Sequence, residues 1–242
     1  MNEKNRQLIS DIEAQRKLDE MRRGFVANVS HELKTPIAII SGYAEGLKLN
    51  VSPASREEYC NTIIDESRRM NELVVSILEL SRYEAGQIPL NRQNFPLREM
   101  CGEMLARMVP DRTVTTENLI PPQTILFADQ TQIEQVLKAY LENAAAHTPS
   151  GGKITVTAEE TGDLVKVSVQ NTGSRIDEAI MPQIWQSFYR GETSHKRESS
   201  RFGLGLSIVS AIVKMHGRQC GVYNTEEGVC FWFEADKGKK EE

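Results

Sequence analysis

The feature that most constrains this chain is a series of apolar residues spaced three and four apart: Leu18, Met21, Phe25, Val29, Leu33, Ile37, Ile40, Ala44 and Leu47. At about 100° per residue, that spacing keeps one stripe on one side of a single long helix. The stretch "NVSPAS" breaks the pattern, with Ser52 reading as an N-cap and Pro53 as the first helical residue, where its missing N–H is harmless. A second stripe follows at Tyr59, Ile63, Met70, Leu73, Ile77 and Leu80. Two long amphipathic helices joined by a short turn make an antiparallel helical hairpin. A hairpin alone buries little apolar surface, so two copies paired as a dimeric four-helix bundle are the economical solution.

Beyond "EAGQIPLNRQNFPL" the pattern changes, punctuated by Gly86, Pro89 and Pro96. The spacing predicts a helix near 97–108, strands near 112–118 and 123–127, and a helix over 129–146 opened by Asp129 as cap. "KITVTAEE" and "LVKVSVQN" alternate as two paired strands around Gly162 and Asp163. A helix near 204–216 and the strand pair "GVYNTE" and "GVCFWFEA" close the series. The predicted architecture is α + α/β: the bundle-forming hairpin, then an α/β sandwich with an open sheet and helices on one face. The polar segment "RGETSHKRESSR" (190–201) reads as a mobile loop.

Composition excludes several classes. With 39% hydrophobic and 26% charged residues among 242, the chain has ample material for a core and is not wholesale disordered. A net charge of −5 gives no reason to expect nucleic acid as a partner. Cys60, Cys101, Cys220 and Cys230 form no CxxC pair and read as buried or half-buried free thiols of a reducing cytoplasm. No apolar run approaches the ~20 residues that span a bilayer, and "MNEKNRQ" is no signal peptide, so the chain as written reads as soluble.

The chemistry-bearing stretch is "NVSHELKTPIAIISGY" (28–43). On a helix, Val29 and Leu33 share the core-facing side, and His31 falls about 180° away, toward water. Thr35 lies one turn further along the same exposed face, with Glu32 beside the ring. A carboxylate next to an imidazole can take its proton and raise its nucleophilicity toward a phosphoryl group. Pro36 reads as a device that bends the helix just past this turn.

"SHELKTP" resembles the phosphoacceptor motif of bacterial sensor histidine kinases, in their dimerisation and histidine-phosphotransfer domain. The resemblance implies that His31 is phosphorylated, that Glu32 is the assisting base, and that Thr35 orients water in a reverse, phosphatase reaction. It extends over nearly the whole chain, because nucleotide-binding boxes follow in family order. "QIEQVLKAYLENAAAHTPSGGKI" resembles the asparagine box, which implies Asn143 as ligand of a Mg²⁺ ion held against ATP; the neighbouring Glu142 reads as a solvated residue. "VSVQNTGSRIDEAIMPQIWQSFYRG" resembles the next two boxes, with Asn171 and Gly173 at the base and Phe188 and Tyr189 as the aromatic pair. "SRFGLGLSIVSAIVKMHG" resembles the last glycine box, in which Gly203, Leu204 and Gly205 open a helix whose N-terminus favours phosphate.

The pattern is departed from at five positions. Ala139 and Ala146 stand where the family often has side chains that touch metal or phosphate. Asn171 replaces an aspartate that accepts a hydrogen bond from the adenine amino group; the amide keeps an acceptor and loses the charge. Arg175 replaces a glycine and either crowds the nucleotide or meets a phosphate. Arg201 stands where "GxGLGL" usually begins, and either pairs with phosphate or is a solvated charge. His147, His195 and His216 read as loop or surface histidines.

The resemblance implies an ATP- and Mg²⁺-dependent protein histidine kinase that passes its phosphoryl group to an aspartate of a response-regulator receiver domain. The five departures motivate an alternative, a degenerate kinase acting mainly as a regulator-binding module or phosphatase. The expected divisions are a linker helix (1–24), the dimerisation and phosphotransfer domain (25–88), the ATP-binding domain (89–238) and a charged tail (239–242). The expected setting is cytoplasmic, with a membrane reached only through a sensor region outside this chain.

Overall fold

The computed structural model describes residues 3–52, 55–109, 113–189 and 202–239; in the first helix, side chains are described at Ile12, Gln15, Arg16 and from Arg23 onward. Expectations for Pro53, the 190–201 loop with His195 and Arg201, residues 240–242, and the side chains of Leu18 and Met21 lie outside the described residues. The chain forms two compact units, Met1–Val75 and Ser76–Glu242.

The first unit contains α1 (Glu3–Lys48) and most of α2 (Arg56–Glu84). Near the turn, the Tyr43 and Tyr59 rings meet edge to face at 5.0 Å. Gly46 makes room for this packing, since a Cβ there would sit 2.9 Å from the Tyr59 ring. Phe25, Val29, Leu33, Ile40 and Leu47 of the first stripe are half-buried, and Leu73 of the second is fully buried. Ile37 and Ala44 of the first stripe are exposed, and Val26, Ile64, Val74 and Val75 add to the apolar surface that one copy leaves uncovered.

α2 runs from Arg56, and the start at Pro53 expected from the sequence falls on residues outside the described ones. Ser52 Oγ donates to Ser55 Oγ and the Ser55 N–H bonds Ser52 O, forming a tight turn ahead of Arg56. The Ser52 hydroxyl is thereby paired with Ser55 just ahead of Arg56.

In the second unit a seven-stranded sheet is built from β1 (Arg92–Pro96), β2 (Thr115–Asn118), β3 (Ile125–Asp129), β4 (Lys153–Thr161), β5 (Leu164–Thr172), β6 (Cys220–Asn224) and β7 (Gly228–Lys237). The order runs β1-β3-β7-β5-β4-β2, and β6 also pairs with β7. Along β7, Val229–Phe233 pair with β6, and Asp236 and Lys237 pair with β3. All pairings are antiparallel except β2 with β4. The helices are α3 (Leu97–Met108), α4 (Gln130–His147) and α5 (Gly205–Met215).

Alternation along β4, β5 and β7 puts Ile154, Val156, Val165, Val167, Val169, Phe231 and Phe233 in the core. They meet Leu137, Tyr140 and Leu141 of α4 and Val209, Ile212 and Val213 of α5, all at most 1% exposed. The other sheet face is half-exposed and polar, with Lys166 Nζ 4.5 Å from the Trp232 ring centroid.

Strand β1 was not legible in the sequence. It has one inward apolar residue, Phe95, and ends at a proline, which an edge strand paired only with β3 tolerates. His216 corrects another expectation: it is 7% exposed and belongs to the core. Its Nδ1 bonds Ile212 O at 2.9 Å and its Nε2 accepts the Asp129 N–H at 3.2 Å. That pairing fixes a neutral ring, and burial pushes its pKa below the ordinary value. Asp129 also caps α4, accepting the N–H groups of Gln132 and Asn91. Of the thiols, Cys101 and Cys230 are buried and Cys220 is half-buried, but Cys60 is exposed on α2, against expectation. Among the described residues no helix is long and apolar enough to cross a membrane.

Candidate functional site

His31 stands on the solvent side of α1 with its side chain 81% exposed, as the helical phase of Val29 and Leu33 requires. Its Nδ1 lies 4.0 Å from Glu32 Oε1, and the glutamate side chain is 25% exposed. The carboxylate is therefore within a small rotation of the imidazole, on the side away from open water. Thr35 is exposed one turn further along. Pro36 sits buried inside an unbroken α1. Lacking an N–H, it leaves the Glu32 carbonyl without its helical donor.

In the second unit the glycine box and the aromatic pair meet at the start of α5. Gly203 has φ +67°, a conformation glycine adopts without penalty. Its carbonyl accepts the Phe188 N–H at 2.9 Å, and a Cβ on it would lie 2.6 Å from Tyr189 O. The aromatic pair and the glycine box are thus stitched together through their backbones. Phe188 itself sits at φ +67°, unusual for a bulky residue, and this hydrogen bond helps hold it there. Leu204 precedes α5 as an N-cap with no side-chain hydrogen bond to the helix. The first N–H groups of α5 are consequently left for another acceptor. Gly205 packs on α4, where a Cβ would meet the Ala139 methyl at 3.7 Å. Ala139 therefore serves the close approach of α4 and α5.

Asn143 is half-buried near the end of α4, and its side-chain amide makes no hydrogen bond among the described residues. Glu142 is exposed and Ala146 half-buried. Asn171 is 2% exposed at the end of β5, with Nδ2 donating to Ser174 Oγ at 2.8 Å. Gly173, at φ +89°, lies against Pro149, whose Cδ would be 2.5 Å from a Cβ there. Arg175 is exposed. The backbone of Ile176 next to it is held at both ends by Asn224, N–H to Oδ1 at 2.9 Å and C=O to Nδ2 at 2.7 Å.

Two contributors escaped the sequence reading. Ser174 partners Asn171, and Pro149 forces glycine at 173. A hydroxyl three residues after a buried amide was the available signal for the first. The second rests on a loop-to-strand contact that sequence spacing does not encode.

Residues 21–86 match the family described as His Kinase A (phospho-acceptor) domain. Residues 128–239 match the family described as Histidine kinase-, DNA gyrase B-, and HSP90-like ATPase. The catalytic domain of histidine kinase ThkA is 31% identical, with a TM-score of 0.54 over 61% of this chain and 96% of that one. Histidine kinase ThkA crystallised with the response regulator protein TrrA is 28% identical, with a TM-score of 0.72 over 95% of this chain and 66% of that one. Sensor protein VanSB of Enterococcus faecalis is 32% identical over 237 residues, which is 94% of this chain and 52% of that protein. The chain thus spans about half the length of this curated relative. It belongs to the histidine kinase family, as "SHELKTP" and the boxes after it led one to expect.

Proposed function

We propose that this chain is the kinase core of a two-component sensor: it phosphorylates His31 from ATP and passes the group to a response-regulator aspartate. One observation carries the reading. A single chain holds a water-facing histidine beside a carboxylate, together with an ATPase-family lobe whose glycine and aromatic boxes are locked to each other. Residues 25–88 are read as the dimerisation and phosphotransfer domain, 89–238 as the ATP-binding domain, and 1–24 as the connecting helix. The exposed apolar residues of α1 and α2 fit burial against a second copy in a four-helix bundle.

Glu32 accepts the imidazole proton as the ring nitrogen attacks the terminal phosphorus of ATP. The phosphoryl group forms a bond to nitrogen, and ADP leaves. In the lobe, Asn171 orients the base, Gly173 lets the backbone come close to it, and Phe188 and Tyr189 pack over the site. Gly203, Leu204 and Gly205 turn the free N–H groups of α5 toward phosphate oxygens. The Asn143 amide, without a hydrogen-bond partner among the described residues, fits a Mg²⁺ ligand. When bound, Mg²⁺ neutralises charge on the phosphates. Thr35 is read as orienting water for the reverse, dephosphorylating reaction. ThkA, crystallised with TrrA, supports a receiver domain as partner. A sensor region outside these residues would connect the core to a membrane.

The test is incubation with γ-labelled ATP and Mg²⁺. The expected product is an acid-labile, alkali-stable phosphoryl group that vanishes in His31→Gln. Labelling that survives the substitution removes His31 from this role. Absence of labelling with regulator binding intact leaves only a docking platform.

A further inference from the structure

The base-reading position is where a departure from the family pattern acquires a definite shape. Asn171 is 2% exposed, and its Nδ2 donates to Ser174 Oγ at 2.8 Å and more weakly to Thr172 O at 3.4 Å. Its Oδ1 takes no hydrogen bond among the described residues, yet it is not one of the side-chain atoms sealed from solvent without a partner. A buried amide therefore presents one unmatched polar atom outward.

Resting on the nucleotide-binding reading above, we infer that this subsite accepts guanine as well as adenine nucleotides. A carboxylate at position 171 would be an acceptor on both oxygens. It would welcome the amino group on C6 of adenine and repel the C6 carbonyl of guanine held in the same pose. An amide has nearly the same shape either way round, and half a turn about its last torsion exchanges Nδ2 for Oδ1. Ser174 keeps the shorter inward bond through that turn: its hydroxyl accepts from Nδ2 in one state and donates to Oδ1 in the other, and only the long bond to Thr172 O is given up. With Oδ1 outward the amide receives the adenine amino group; with Nδ2 outward it donates to the guanine carbonyl. With either purine the outward atom of the amide is matched and the inward bond to Ser174 is kept. An unmatched buried polar group is what lets a site reject an analogue, by about 10⁴-fold or more where it reads a single hydrogen bond. Ser174 is a positioning residue here, because it acts through Asn171.

The experiment is calorimetric titration of the full chain with the imidodiphosphate analogues of ATP and GTP in Mg²⁺. The wild-type ratio of GTP-analogue to ATP-analogue Kd is expected below about 30, far under the discrimination of a single-bond reader. Asn171→Asp is expected to raise that ratio about tenfold or more, chiefly by losing the GTP analogue. Ser174→Ala is expected to raise it about threefold or more, because the guanine-reading state then leaves Oδ1 without its inward donor. A wild-type ratio above about 30 overturns the inference, as does a ratio that Asn171→Asp moves by less than about threefold. An unmoved ratio in Ser174→Ala overturns the coupled switch. If the wild-type chain binds neither analogue, the nucleotide-binding reading itself falls, a pattern distinct from binding ATP alone.

Discussion

Gly203→Ala and Gly205→Ala, two substitutions in one glycine box, are expected to differ sharply. At Gly203 the backbone is at φ +67°, where a side chain costs roughly 1–2 kcal/mol. The new Cβ would also lie 2.6 Å from Tyr189 O, 2.9 Å from the Phe188 carbonyl carbon and 3.0 Å from its Cα. Those are backbone atoms, so relief requires the clamp to shift, as in an overpacked core, at about 1–3 kcal/mol. The two effects together come to about 2–5 kcal/mol, a large share of the 5–15 kcal/mol that holds an ordinary domain folded. At Gly205 the φ is not positive and the methyl would meet Ala139 at 3.7 Å, an ordinary contact. That change is expected within about 1 kcal/mol of wild type, with any gain coming from helix propensity. Trp185 and Trp232, the chain's two tryptophans, both lie in the C-terminal unit, so fluorescence during urea unfolding reports on that unit. With a slope of about 2 kcal/mol/M, the Gly203→Ala midpoint is expected to fall by about 1–2.5 M. Equal shifts at the two glycines, or a Gly203→Ala midpoint unchanged from wild type, would refute the backbone-clamp reasoning.

Three further outcomes are expected. Asp236 pairs with both Arg92 and Arg218, and the Nε atoms of those arginines are buried without partners. Asp236→Ala is therefore expected to lower unfolding stability by about 2–3 kcal/mol in urea titrations, since two guanidinium groups are stranded together. The His216 pKa is depressed in the folded state, so the unfolded chain binds the extra proton. The stability due to its neutral ring is full above its unfolded pKa of about 6.5 and is lost as pH falls through the folded value. Between those two pKa values, stability should fall by up to about 1.4 kcal/mol per pH unit, and His216→Gln should remove that slope relative to wild type. For Thr35→Ala, phosphorylated regulator should persist about tenfold longer while labelling of His31 stays within twofold, measured by phosphoprotein decay.

Much of the fold was legible in the residues because local rules act over a few positions. The three-four apolar stripes, the alternation in "KITVTAEE" and "LVKVSVQN" and the cap at Asp129 each declared an element that formed. His31 was placed toward water by its phase against Val29 and Leu33 alone, and "SHELKTP" with the boxes after it carried the family. Strand β1 and the core position of His216 were illegible, since an edge strand with one inward residue and a histidine satisfied by a distant Asp129 leave no periodic trace. Position 203 shows the same division: the glycine was visible in the sequence, but the Phe188–Tyr189 backbone that excludes any larger residue there was not. Short-range geometry follows from the order of residues. Contacts between segments far apart in sequence, such as His216 with Asp129 or Gly203 with Tyr189, are decided only when close packing brings backbones together.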